Sequence, residues 1–435
     1  MKSANTINLL HLSDIHFKKP LCLNPGRDPD HPVREALKND VSQRIKKVGP
    51  IDAIVVGGDI SFQADSEEFD VAAEWLESLA VIAECKEKVI LPIPGNHDVQ
   101  RSVIAANPST SLIREGLLKR EAEKRFEGLV ESLKDPQANG HLFAPLDSYN
   151  AFAARYACDV SGLDRLSWWY QLQISPQLAC RIHGMTSVLF SGPSDRERSL
   201  MLGRMQTSFA VADGVINVAV SHHPPEWLID GDDIDDDLWN RSRLHLFGHK
   251  HRNRIRVDDQ GIRLFASAVN PARNEGEWEP GYNIVQLSQI EEGGKPRLRI
   301  DCHVFIWQRS PDRFVRKKTT ENEGTFSRTY SVVLAKIPPV NAAVTSGPRA
   351  GDALGGASNE PIESAVGSGV TQSLVKRFWS ISASERRQIA NSLNVLTEED
   401  LKLQEYERYR RAFLEIKRRG LVAAFEEAVK KAEED

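Results

Sequence analysis

A chain of 435 residues exceeds one comfortable hydrophobic core, and its length alone leads us to expect about two to three domains. It is 40% hydrophobic and 27% charged with a formal net charge of −5, a soluble globular composition that gives no support for bulk attraction to nucleic acid or anionic membranes. Cys22, Cys85, Cys158, Cys180 and Cys302 are odd in number and never in CxxC spacing. They fit buried reduced thiols better than a disulfide framework or a zinc-cysteine site.

The opening MKSANTINLLHLSD has no long apolar signal-like region. No run approaches the roughly 18 apolar residues that span a bilayer. The cytoplasm is therefore the expected compartment, with no membrane partner.

Residues 7–12 (INLLHL) read as a buried strand, broken at once by Ser13-Asp14-Ile15-His16. A helix is expected over about 33–48, and Ile51 to Val56 forms a second strand ending at Gly57-Gly58-Asp59. Helical periodicity covers 66–84, with Phe69, Ala72, Ala73, Leu76, Leu79 and Ala80 on one face. Val89 to Ile93 is a third strand, ending at Gly95-Asn96-His97-Asp98. This β-α-β-α-β order argues for an α/β sandwich with its function at the C-terminal strand ends. Residues 100–165 are expected to be a helical cap or insertion. A strand-rich stretch from about 180 to 308 includes LACRIHG, SVLFSG, INVAVSHH, LHLFGHKH, IRLFASAV and YNIVQLS.

From 336 to 371 the chain turns rich in Pro, Gly, Ser and Ala, as a flexible linker does. Residues 372–435 then read as four or so short helices, with capping boxes at Ser382–Glu385 and Thr397–Asp400. Leu401, Tyr406, Tyr409, Phe413 and Ile416, then Leu421, Phe425 and Val429, supply their apolar faces. The expected domains are thus 1–335, a linker over 336–371, and a helical domain over 372–435.

Five segments carry the chemistry: Asp14-x-His16, Gly58-Asp59, Gly95-Asn96-His97-Asp98, His222-His223-Pro224 and Gly248-His249-x-His251. Each follows an apolar strand, so short loops can bring them to one sheet edge. Carboxylates, imidazoles and one amide, with no thiolate, suit hard or borderline divalent ions. In this order the segments resemble the calcineurin-like metallophosphoesterase superfamily, whose motifs are DxH, GD, GNH[DE], H and GHxH. The match spans roughly residues 8–252.

The resemblance implies a four-layer α/β/β/α sandwich and a centre of two divalent metal ions, with manganese, iron, zinc or similar ions left open. Asp14, His16 and His251 would hold the first metal, Asp59 would bridge, and Asn96, His222 and His249 would complete the second site. A water or hydroxide on the metals would be the nucleophile. His97 would protonate the leaving oxygen and Asp98 would orient its imidazole. His11, His31, His141, His183, His245 and His303 read as ordinary core or surface residues. His223 should point away from His222 if the segment is extended, with contact to substrate or metal as the alternative.

The acidic run 230–237 (DGDDIDDD) does not fit an EF-hand and reads as a solvated loop, or as an acidic lip if it lies at the entrance. Arg27, Arg101, Arg204 and Arg273 are phosphate-clamp candidates whose default is the surface. Trp168, Trp169 and Tyr170 read as core packing rather than a base-stacking platform. The C-terminal SxxERRxIAxxL opening, the ERYRRAF core and the final GLVxAFEEAV helix resemble the death-like, effector-associated adaptor domains of bacterial conflict and signalling systems. That resemblance implies docking to a protein partner. The function expected is a phosphodiesterase acting on a nucleotide-type or other small phosphorylated substrate. Its alternatives are a nuclease, which the acidic run disfavours, a protein phosphatase, and an inactive scaffold.

Overall fold

The computed structural model describes residues 5–271, 278–318, 325–336, 345–346 and 372–434. The chain begins β1 (Thr6–Leu12), α1 (His31–Val48), β2 (Ala53–Val56), α2 (Ser66–Ile82) and β3 (Ile90–Pro92). A helical insertion follows: α3 (Arg101–Ala106), α4 (Pro108–Leu118), α5 (Ala122–Lys134), α6 (Pro136–Phe143) and α7 (Asp147–Ala153). Next come β4 (Ser167–Ser175), β5 (Leu178–Met185), β6 (Val215–Ser221), α8 (Gly231–Arg241), β7 (Leu244–Phe247), β8 (Arg254–Val257) and β9 (Ile262–Phe265). Strands β10 (Gly281–Glu292), β11 (Lys295–Arg309), β12 (Asp312–Arg316), β13 (Thr325–Ser331) and β14 (Thr345–Ser346) precede four helices. These are α9 (Gln372–Ser380), α10 (Ala383–Ser392), α11 (Glu405–Arg418) and α12 (Val422–Glu434).

The strands form two sheets. The first runs β12-β11-β10-β1-β2-β3 with β13 also on β11, and the second runs β14-β4-β5-β6-β7-β9-β8. Every residue of β1 and β2 is buried, because sheets packed on both faces read as continuous apolar runs. Strand β4 of the second sheet lies against β1 and β10 of the first. Helices α1 and α2 cover the first sheet, and α8 lies on the second through His245, whose Nε2 meets the Leu238 carbonyl at 3.1 Å. Parallel pairings β1/β2/β3 and β5/β6/β7 point their C-terminal ends the same way within each sheet. The expected four-layer α/β/β/α sandwich, helical insertion and C-terminal helical bundle are all present.

Three local expectations need correction. SVLFSG (187–192) is not a strand: Arg114 of α4 donates to the Leu189 and Ser191 carbonyls at 2.6–2.9 Å, so a guanidinium supplies the hydrogen bonds a neighbouring strand would have given. Thr397–Asp400 does form a reciprocal box, but it opens only a 3-10 turn, Asp400–Lys402, and α11 starts later. The acidic run is not a loop. It is the start of α8, where Ile234 and Leu238, four residues apart, are buried and the first-turn acids suit the helix N-terminus. Asp230 accepts the Leu202 and Gly203 amides, Asp237 accepts from Thr207 and Arg204, and Asp235 pairs with the buried Arg263. Half of that charge is engaged within the fold: Asp230, Asp235 and Asp237 are buried or half-buried, whereas Asp232, Asp233 and Asp236 are exposed.

All five cysteines are buried and unpaired. The linker expected over 336–371 lies outside the described residues except for Lys336 and β14. Helices α9 to α12 close on their own core, which includes Leu374, Phe378, Tyr409, Ile416, Phe425 and Val429. This bundle rests on the outer side of α2 and α7: Tyr406 donates to Asp147 at 3.0 Å and Lys376 pairs with Glu77 at 3.5 Å. Among the described residues no helix is long and apolar enough to cross a membrane.

Candidate metal centre

The chemistry gathers where β1, β2, β3, β6 and β7 end. Backbone bonds stitch these ends together: Asp14 N–H donates to the Gly58 carbonyl at 2.9 Å and Ile15 N–H to that of Asp59 at 2.8 Å. Asp14, His16, Asp59, His249 and His251 all have φ between 52° and 66°, the left-handed region that non-glycine residues avoid. Each such residue costs on the order of 1–3 kcal/mol, and such strain clusters at functional sites. Gly95 is required by closeness: a Cβ there would lie 2.2 Å from both the amide N and Oδ1 of Asp59.

Asp14, Asp59 and His222 are at most 1% exposed. Asp59 Oδ2 lies 3.5 Å from His222 Nε2 and 4.0 Å from His16 Nε2, between the two halves of the cluster. On one side, Asp14 Oδ1 lies 3.2 Å from His251 Nε2 without the alignment of a hydrogen bond. On the other, Asn96 Oδ1 lies 3.0 Å from both His222 Nε2 and His249 Nδ1. Asp14, His16, Asp59 and His251 lie close enough together to hold an ion, and so do His222, His223 and His249. His222 Nδ1 donates to the Gly57 carbonyl at 2.8 Å, which leaves Nε2 as the ligating nitrogen.

The charges agree with this geometry. Burial would raise the Asp59 carboxyl, but the neighbouring His222 and His16 hold it well below the usual carboxylate range. Burial would lower the His222 imidazolium, yet Asp59 and Asp14 raise it to about 9. Burial holds the His16 and His249 imidazoles down, each to about 4. The buried carboxylates thus demand positive charge, and neutral imidazoles stand ready as ligands. Divalent ions satisfy both conditions.

His97 sits beside the cluster, its ring 4.8 Å from that of His16. Its Nδ1 donates to the Phe62 carbonyl at 2.9 Å, so the imidazole is oriented by a backbone oxygen. Asp98, expected in that role, does something else: its buried carboxylate accepts the amides of Ile60, Ser61 and Gly95 and the Ser61 hydroxyl. It ties the Asp59 loop to the Asn96 loop. Glu68, also fully buried, accepts the Phe62, Gln63 and Lys19 amides and holds the same loop from the other side.

Two other residues near the centre, Asn270 and Trp227, had no readable signal in the sequence. Asn270 donates to the Ile15 carbonyl at 2.6 Å. Trp227 stands edge-to-face with His249, ring centres 4.1 Å apart. His223 does not point away, because the chain bends after β6: its ring lies 4.8 Å from His222 and 4.4 Å from His249. Arg27 and Arg101 are exposed, Arg204 turns to Asp237, and Arg273 lies outside the described residues. Trp168 and Tyr170 are buried in β4.

The sequence matches two family models. Residues 7–253 match that of the calcineurin-like phosphoesterases, and residues 371–431 match that of the GTPase-associated adaptor domain. No curated protein matches the chain. Several solved structures resemble it distantly. A conserved uncharacterized protein, described as a predicted phosphoesterase, from Streptococcus pneumoniae is 11% identical, with 74% of this chain and 98% of the other covered and a TM-score of 0.28. A Vacuolar Protein Sorting 29 from Cryptosporidium parvum is 12% identical, with coverages of 74% and 99% and a TM-score of 0.31. A putative 5'-nucleotidase from Staphylococcus aureus is 11% identical, with coverages of 75% and 54% and a TM-score of 0.34.

Proposed function

Because the chain belongs to the calcineurin-like phosphoesterase family, we propose that it hydrolyses a phosphodiester of nucleotide type at a two-metal centre held by Asp14, His16, Asp59, Asn96, His222, His249 and His251. The observation that carries this reading is the position of Asp59 Oδ2 between His16 and His222, with Asn96 Oδ1 3.0 Å from both His222 and His249. The ions, when bound, would polarise the phosphoryl oxygens and lower the pKa of the attacking water.

The chain's own residues do the rest. The strained loops fix the ligand atoms before substrate arrives, so little reorganisation accompanies reaction. His97, with Nδ1 committed to Phe62 and its other nitrogen available, hands a proton to the leaving oxygen. Asp98 and Glu68 hold the Asp59 and Asn96 loops in register. The 100–165 insertion contributes to substrate choice, and helices α9–α12 recruit the enzyme to a protein partner in a cytoplasmic bacterial defence or signalling setting.

The test is metal-dependent turnover of a chromogenic phosphodiester, a monoester, cyclic nucleotides and labelled nucleic acid. Asp59→Asn and His97→Ala serve as controls. No turnover of any panel member with manganese, iron, zinc, nickel or magnesium ions rejects the enzyme reading. Preferential cleavage of nucleic acid favours the nuclease alternative.

A further inference from the structure

His223 is fully buried, and its Nε2 meets no hydrogen-bond partner among the described residues. An orphaned buried imidazole nitrogen costs roughly 1–3 kcal/mol, so it marks a missing partner. Its other two nitrogens are met by one group: Ser187 Oγ lies 3.0 Å from His223 Nδ1 and 3.1 Å from its backbone nitrogen, while the His223 carbonyl accepts from the Ser221 hydroxyl at 3.0 Å. A hydroxyl oxygen has two lone pairs and can accept both. With Nδ1–H donated to Ser187, the lone pair of the ring is left on Nε2. This is the arrangement metal-ligating histidines adopt, one nitrogen donating to an orienting oxygen and the other facing the ion.

The placement agrees. A ligand atom of His223 lies within 4.8 Å of those of His222 and His249, about the span of ligands around one ion. We propose that His223 is a further ligand of the second metal, giving that half three imidazoles alongside Asp59 and Asn96, and that Ser187 is its positioning residue. The proposal rests on the two-metal reading of the site. Its consequence is asymmetry: the first half offers two carboxylates with two imidazoles, whereas the second is richer in nitrogen. The second half should therefore select zinc, nickel, cobalt or iron over magnesium or calcium more strongly than the first.

The experiment measures metal content and affinity on the full-length protein, with no substrate present. Wild type, His223→Gln, Ser187→Ala and Asp59→Asn are loaded with cobalt and titrated against a graded chelator, with bound metal and the visible cobalt spectrum recorded. Wild type should hold two ions. His223→Gln should weaken one of them at least about tenfold and shift the cobalt bands, and Ser187→Ala should weaken the same ion less, within the roughly 10–100-fold seen for orienting groups. Two ions held with unaltered affinity and spectrum in both variants would overturn the proposal. Ser187→Ala, a lighter change, keeps the test decisive if His223→Gln fails to fold. If wild type holds two ions and Asp59→Asn loses them while both His223→Gln and Ser187→Ala keep them, the two-metal reading stands and the ligand role of His223 alone fails.

Discussion

Asp59 and His222 meet across the junction of the two sheets, Oδ2 to Nε2 at 3.5 Å, although 163 residues separate them, 222 − 59 = 163. Each is at most 1% exposed, and each reverses the effect of burial on the other. Cutting that link should therefore disturb both halves of the site. Asp59→Asn should lower turnover by at least about 100-fold, since it removes the charge shared by two ions, and should release metal in an elemental assay. Retained metal with full turnover would refute the bridging assignment.

His97 acts on the leaving group rather than on the ions. His97→Ala should leave metal content unchanged and cost about 10²–10⁴ in kcat on an alkoxide leaving group. A nitrophenolate ester needs little protonation, so its turnover should fall much less. An equal loss on both esters would point to a structural role.

Gly95 leaves no room for a side chain beside Asp59. Gly95→Ala should therefore push Asp59 aside, releasing metal at ordinary chelator concentrations and lowering the Tm by several degrees through an overpacking cost of about 1–3 kcal/mol. Metal titration and a thermal melt check both effects.

Acid should destabilise the fold through histidines remote from the centre. His183 is bonded to Asn217 at 3.0 Å and stacked on Phe209, and burial lowers its pKa from 6.5 to about 3. The folded state thus binds its proton less readily than the unfolded chain. Its contribution is complete above the unfolded value of 6.5 and is lost as pH falls toward about 3, by roughly 1.4 kcal/mol per pH unit. His245, likewise lowered to about 3 chiefly by burial, adds the same trend. Denaturant melts between pH 7.5 and 5 should show a shallower decline in His183→Gln than in wild type, and equal slopes would contradict this account.

The bundle's seat includes the polar Tyr406–Asp147 and Lys376–Glu77 contacts, and Lys376 also lies 5.5 Å from the centre of the Tyr156 ring. Polar, partly solvated contacts are weak and screened by salt. Tyr406→Phe together with Lys376→Glu should increase protease cleavage between the two parts and raise the radius of gyration in solution scattering, while turnover of a small diester stays within about twofold. An unchanged radius would show that other contacts hold the bundle.

The sequence by itself determined the order of strands and helices in the first half, the ligand types, the helical insertion and the C-terminal helices, because periodicity and strand-end motifs are local properties. The family motifs added His97. Only the tertiary structure decided who faces whom. Asp98 lies next to His97 in sequence, yet the 3-10 turn sends its carboxylate to the backbone of Ile60 and Ser61 and leaves the imidazole to Phe62. Alternation sent His223 away from the metals, but the bend after β6 turns it back toward His249. Asp235 and Asp237 read as solvated until α8 placed them against Arg204, Thr207 and Arg263. In each case the deciding interaction joins residues that a linear pattern does not pair: local chemistry sets what a segment can be, and burial against distant segments sets which way its side chains turn.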